Sequence, residues 1–149
     1  MIEINNLTTN PIDEEFLKKI AEIVLESEEK RESDLSITLI GPGKMRNLNK
    51  RYLGKNRVTD VLAFGQNQKS KTKNQKFPII PKGGLDVGEI VICLREVKKN
   101  AKKFKSSFKK ELTRVLIHGI LHLVGYDHEK NEKEAKEMEE KEKTYLNQL

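Results

Sequence analysis

Ile2 and Ile4 alternate with polar neighbours, the period-two pattern of a half-buried strand. The period then changes. Asp13 follows Pro11 and precedes an amphipathic run, in which Phe16, Leu17, Ile20, Ile23 and Val24 recur at helical spacing. A helix is predicted to about residue 30. Leu35, Ile37 and Leu39 alternate again as a second strand, which Gly41-Pro42-Gly43 ends. Met45, Leu48, Tyr52 and Leu53 fit a short helix, and residues 58–64 read as a third strand.

The stretch 65–84 is polar and Lys-rich, with Pro78, Pro81 and two adjacent glycines. It reads as a long loop, either functional or a tolerated surface insertion. Residues 86–94 form a fourth predicted strand. Helices are predicted over 95–103, 108–124 and 131–146, the last with Ala135, Met138 and Leu146 as apolar contacts. No internal repeat appears. Strands mixed with helices in a chain of 149 residues point to one small α/β domain over 1–149.

Charge changes this picture. The net charge is +6, which suits either a polyanionic partner or a Lys-rich solvated surface. Its distribution favours a basic face: basic residues crowd 44–76, where Asp60 is the only acid, and 95–114, while the tail from Glu129 is Glu-rich. Cys93 is the single cysteine, so no intrachain disulfide forms, and a reducing, cytoplasmic compartment is expected. Cys93 ends the apolar run Glu89-Ile90-Val91-Ile92-Cys93 and reads as a buried structural thiol. No stretch is apolar for long enough to span a bilayer. The segment Met1-Ile2-Glu3-Ile4 lacks the pattern of a signal peptide.

The chemistry concentrates in His118-Gly119-Ile120-Leu121-His122-Leu123-Val124-Gly125-Tyr126-Asp127-His128, which holds all three histidines of the chain. His118 and His122 are at i and i+4 on a predicted helix, which places their Cβ atoms about 5–6 Å apart on one face. Two imidazole nitrogens can then converge on one ion, at about 2.0–2.1 Å for zinc. Gly125 can take the left-handed conformation that ends a helix, letting His128 return as a third ligand. The spacing His-x3-His-x5-His matches the ligand spacing of the metzincin proteases. Three protein ligands leave a position for water, the mark of a catalytic zinc. A lone histidine on an apolar helix is ordinarily a satisfied core residue; three at this spacing around a breaker glycine point to a metal. Zinc proteases place a general-base Glu directly after the first histidine, where this chain has Gly119. A peptidase is therefore disfavoured, and a carboxylate introduced at 119 is expected to crowd the open coordination position.

Residues 118–128 resemble the signature of the YbeY family of single-strand-specific metallo-endoribonucleases. Leu48-Asn49, Tyr52, Gly54-Lys55, Thr59-Asp60-Val61-Leu62, Phe64, Gly88-Glu89-Ile90-Val91-Ile92-Cys93 and Met138 extend the resemblance over nearly the whole chain. It implies an α/β (α+β) fold with one mixed, mostly parallel four-stranded sheet packed by about five helices. It implies one Zn2+ per chain on His118, His122 and His128, and single-stranded RNA as substrate. It further implies late small-subunit ribosome assembly, 16S rRNA 3′-end maturation and ribosome quality control. The implied partners are ribosomal RNA, the small subunit, and an assembly GTPase or a small-subunit ribosomal protein, with no membrane.

Leu53 stands where the family has an arginine; Arg51 and Arg57 do not align with it, so no catalytic residue is assigned beyond the water on the metal. The family's Pro and Ser are Val58 and Ala63 here, and its Asp is Glu89. Candidate RNA contacts are Arg51, Lys55, Arg57, Lys98, Lys99, Lys102 and Lys103. Asp127 reads as a turn cap or a partner to a ligating histidine. Tyr52, Phe64 and Tyr126 read as packing rather than base stacking. Two other readings are a non-catalytic, zinc-stabilised ribosome-assembly factor and a zinc hydrolase of another class, such as a metalloprotease-like enzyme.

Overall fold

A computed structural model describes residues 1–65, 88–126 and 131–149. The elements run β1 (Ile2–Asn6), α1 (Glu14–Ser27), β2 (Leu35–Ile40), α2 (Pro42–Leu53), β3 (Val61–Gly65), β4 (Gly88–Cys93), α3 (Leu94–Lys103), α4 (Phe108–Leu123) and α5 (Glu132–Gln148). The sheet order is β1-β2-β4-β3. β1 pairs parallel with β2, β2 parallel with β4, and the edge strand β3 antiparallel with β4. The mixed, mostly parallel four-stranded sheet with five helices is the α/β fold expected. The long predicted loop lies outside the described residues, except for Gly65, which ends β3.

Local chemistry explains most helix starts. Asp13 Oδ1 accepts the Phe16 N–H at 3.1 Å, Ser107 Oγ that of Lys110 at 3.0 Å and Asn131 Oδ1 that of Glu134 at 2.8 Å. α2 begins with Pro42 and ends at Gly54, which takes a left-handed φ of 70°. α1 stops at Ser27 rather than near residue 30, because the chain turns at Glu29 (φ 62°) and the Lys30 N–H bonds back to Leu25 O at 2.7 Å. β3 starts at Val61, not at 58, although the Asp60 carbonyl still accepts the Cys93 N–H at 2.9 Å.

The pleat sends alternate residues of β2 and β4 to opposite faces. Leu35, Ile37, Leu39, Ile90 and Ile92 pack under α1, α3, α4 and α5, against Leu17, Ile20, Val97, Val115, Leu116, Ile120, Met138 and Tyr145. Ile40, Val91 and Cys93 pack under α2 with Met45, Leu48, Tyr52 and Leu62. Cys93 is buried, and burial pushes its thiol up, as a structural cysteine requires. β3 lies so close to β4 that a Cβ at Gly88 (φ 136°) would stand 2.1 Å from Phe64 O. Only glycine fits there.

Glu89 is the anomaly of the sheet. It is fully buried (0% exposed) and pairs in register with Ser36 and Phe64. Its Oε1 accepts a bond from Thr38 Oγ1 at 2.8 Å, while Oε2 and the nearby Ser36 Oγ have no partner among the described residues. Burial pushes the Glu89 carboxyl from 4.5 up to about 7, with the Glu3 charge adding to the effect and the Thr38 bond opposing it. The folded state therefore holds this proton more tightly than the unfolded chain. Stability is full below the unfolded value and falls as pH rises from about 4.5 through 7, by at most about 3 kcal/mol. Glu89→Gln should flatten that fall and be more stable than the parent at pH 8. Urea melts at pH 5, 7 and 8 measure it. A variant whose stability still drops across this range would assign the loss to another group.

Candidate metal centre

α4 carries the most extensive buried stripe of the described helices. Leu112, Val115, Leu116, Gly119 and Ile120 follow one another at helical spacing and are all buried. His118 and His122 lie on the flank of this stripe, one turn apart, with ring centroids 4.9 Å apart and planes at 77°. The side chain of His118 is 23% exposed, so the pair borders the core while staying within reach of solvent. α4 ends where the Tyr126 N–H bonds back to Leu121 O at 3.0 Å, next to Gly125 with its φ of 114°. The glycine thus turns the chain as its position suggested. His128 and Asp127 fall outside the described residues, and among the described residues no group of three His, Cys, Asp or Glu side chains is placed to hold a metal ion.

Gly119 does not face this site. A Cβ there would meet Ile90 of β4, at 3.1 Å from Cγ2 and 3.3 Å from Cδ1. The expectation that a carboxylate at 119 would crowd an open coordination position is therefore corrected. Residue 119 points into the sheet, and its missing side chain lets α4 settle onto β4.

Three carboxylates and one guanidinium extend the site along α4. The His118 Nδ1 contacts Glu142 Oε1 of α5 in a short hydrogen bond. One turn earlier, Arg114 donates to Glu111 Oε1 from Nε at 2.8 Å and from Nη2 at 2.6 Å. Arg114 Nη2 also stands 3.9 Å from Asp60 Oδ2. Asp60 is held in turn by Asn100 Nδ2 of α3, at 3.4 Å. Burial opposes the Arg114 charge, but the hydrogen bond and charge of Glu111, then the charges of Glu142 and Asp60, outweigh it and hold the guanidinium above its ordinary value.

A second cluster fixes α5. Glu28, just past α1, accepts a short bond from the Tyr145 hydroxyl and one from Lys141 Nζ at 3.2 Å. Burial raises the Glu28 carboxyl, but bonds from Tyr145, Tyr126 and Lys141 win and lower it. Tyr126, just past α4, thereby joins the same cluster. Tyr52 is buried edge-on against Phe64, with centroids 5.6 Å apart, so both rings pack as expected.

The candidate RNA contacts form two groups. Arg51, Lys55 and Arg57 are exposed at the end of α2 and in the turn after it, with Arg51 5.7 Å from the Tyr52 ring centroid. Lys98, Lys99, Lys102 and Lys103 are exposed on α3, which packs beside α4. Lys98 approaches Asn10 Oδ1 at 3.5 Å, and Lys103 stands 5.6 Å from the ring centroid of the exposed Phe104. The structure thus puts α3 on the same side of the sheet as α4, with Lys98 5.7 Å from the ring centroid of Phe108 at the start of α4, and α2 on the other side.

Glu142, Arg114 and Glu111 were not singled out in the sequence, and Asp60 entered only as the lone acid of a basic stretch and as part of the family resemblance. Arg114 lies four residues before His118, a helical spacing open to inspection. Glu142 lies four after Met138 and three before Tyr145, on the one stripe of α5 that is buried. That stripe was the available signal within a helix otherwise crowded with glutamates.

The donor chemistry fits a divalent transition metal. Two imidazoles sit one helical turn apart, and a carboxylate engages the ring nitrogen of the first that a metal on Nε2 would leave over. Fold and site together define a class: an open α/β sheet protein that presents a His-x3-His pair from the helix lying on its sheet. Within that class, the family model for endoribonuclease YbeY matches residues 3–149. A relative from Thermodesulfovibrio yellowstonii named endoribonuclease YbeY is 38% identical over 143 residues, covering 89% of this chain and 84% of that protein. Another of that name from Thermotoga maritima is 38% identical over 137 residues, covering 91% of this chain and 79% of its own length. A solution structure of a Thermotoga maritima protein superposes with a TM-score of 0.65 at 36% identity, covering 98% of this chain and 87% of that one. The chain belongs to the endoribonuclease YbeY family.

Proposed function

We propose that the protein is a zinc-dependent endoribonuclease that cleaves single-stranded RNA. Its biological task on this reading is late assembly of the small ribosomal subunit, with maturation of the 16S rRNA 3′ end and ribosome quality control. The observation that carries the proposal is the His118–His122 pair backed by Glu142, in a chain that belongs to a family of endoribonucleases.

His118, His122 and His128 would hold the cation. When bound, zinc supplies Lewis-acid polarisation of a phosphoryl oxygen and activation of water. The protein's own residues do the rest. The α3 lysines are exposed on a helix packed beside α4, with Lys98 next to Phe108 at the start of α4, and would offer positive charge to a phosphodiester backbone that lies along this side of the sheet. Among the described residues, Glu142 is engaged by His118 and Glu111 by Arg114, so neither stands as a general base in this arrangement. Gly119 supplies none either, and this disfavours the peptidase reading.

The test sets zinc-loaded, chelated and reloaded protein against a single-stranded RNA, the matching duplex and a casein-type peptide substrate. Cleavage of the single strand alone, lost on chelation and restored by zinc, is the expected result. Tight RNA binding without cleavage at full zinc loading would favour the non-catalytic assembly factor, and peptide cleavage would favour a metalloprotease-like hydrolase. Cleavage unaffected by chelation would remove the metal from the proposal.

A further inference from the structure

Glu142 is a carboxylate in a place that solubility does not explain. On α5 it lies between Met138 and Tyr145, both buried, and its side chain is only 14% exposed. A carboxylate withdrawn from water is costly unless it is paired. Its pairing is specific: Oε1 meets Nδ1 of His118, twenty-four residues away, and Arg114 adds its charge from one turn earlier on α4.

Docking of α5 is served by the buried Met138 and Tyr145 and by the bonds from Tyr145 and Lys141 to Glu28. To these Glu142 adds a contact aimed at one ring nitrogen of His118.

The geometry points to Glu142 as a positioning residue for the metal centre. By accepting the Nδ1 proton of His118, it fixes the ring tautomer and orientation in which Nε2 carries the lone pair toward His122. A neutral imidazole has one protonated and one unprotonated nitrogen, and the hydrogen bond at one decides the other. Ligating histidines are characteristically held this way by a carboxylate. Glu142 thus acts through His118 and does not touch the reacting atoms. Arg114, already held by Glu111 and Asp60, provides the positive charge that offsets a carboxylate at this depth.

The inference rests on the metal-dependent reading above, and its test separates the two. The first measurement needs no metal. Imidazole 15N chemical shifts in the metal-free protein should show His118 in the Nδ1–H tautomer, and Glu142→Ala should redistribute the tautomers. Glu142→Gln keeps an acceptor oxygen and should hold the Nδ1–H form. The second measurement is zinc affinity by competition with a chromophoric chelator. Glu142→Ala should weaken it roughly 10- to 100-fold, and Glu142→Gln should recover most of the loss. Thermal midpoints of the metal-free variants control for docking of α5.

An Nε2–H tautomer at His118 in the wild-type protein overturns the proposal without any variant. Equal zinc affinity in wild type and a folded Glu142→Ala also overturns it, while leaving the nuclease reading intact. A wild-type protein that binds no divalent metal overturns both.

Discussion

Gly119→Glu is expected to unfold the protein rather than to retune its chemistry. A Cβ at 119 would already stand 3.1–3.4 Å from three side-chain carbons of Ile90. Ile90 is fully buried at the centre of β4, so it cannot swing into solvent. The remaining atoms of the glutamate would have to push α4 off the sheet or bury a carboxylate among Ile90, Leu116 and Ile120. An isolated buried charge costs several kcal/mol even after relaxation. The total stability of a domain is about 5–15 kcal/mol. Gly119→Ala tests the steric part alone. Ile90 must give by a few tenths of an ångström, at a cost of about 1–3 kcal/mol. Urea unfolding followed by far-ultraviolet circular dichroism measures both variants. A Gly119→Glu protein that melts like the parent and loses only RNA cleavage would show that residue 119 faces the metal after all.

His118→Ala and His122→Ala should each abolish the metal site and leave the fold standing. Both rings lie on the flank of α4 rather than in its buried stripe, and His118 retains 23% side-chain exposure, so truncation opens no large cavity. The stability cost of His122→Ala should stay within about 1 kcal/mol, whereas His118→Ala also takes the ring partner from the Glu142 carboxylate and should cost more. The effect on zinc should be far larger, because on the proposed reading each substitution removes a direct ligand. Loss of a partner behind a ligand already costs roughly 10- to 100-fold in affinity or activity. Elemental analysis of purified variants should find zinc well below one per chain, and cleavage of single-stranded RNA should fall to background. His128→Ala should behave in the same way. Full zinc occupancy in any of the three would strike that histidine from the ligand set.

The histidine pair was legible because i and i+4 on a helix is a local relation, set by 3.6 residues per turn whatever the helix packs against. The α/β alternation was legible for the same reason, since the periods of two and 3.6 in Leu35–Ile37–Leu39 and Phe16–Leu17–Ile20 are properties of short windows. The direction of Gly119 was also written in the chain, as a member of the stripe Leu112, Val115, Leu116, Gly119 and Ile120. Comparison with the zinc-protease motif pointed the other way, and packing of that stripe onto Ile90 decided the matter.

What the sequence could not determine are relations between distant segments. The place of β3 at the sheet edge depends on the antiparallel register that sets Gly65 opposite Gly88. The burial of Glu89 depends on its sitting in β4 between β2 and β3. Glu142 differs from the other glutamates of α5 only because that helix docks on α4 with residue 142 beside His118. Asp60 and Arg114, fifty-four positions apart, meet only once β3 and α4 are stacked. Each pairing is decided by which faces become buried together, and the tertiary fold alone makes that choice.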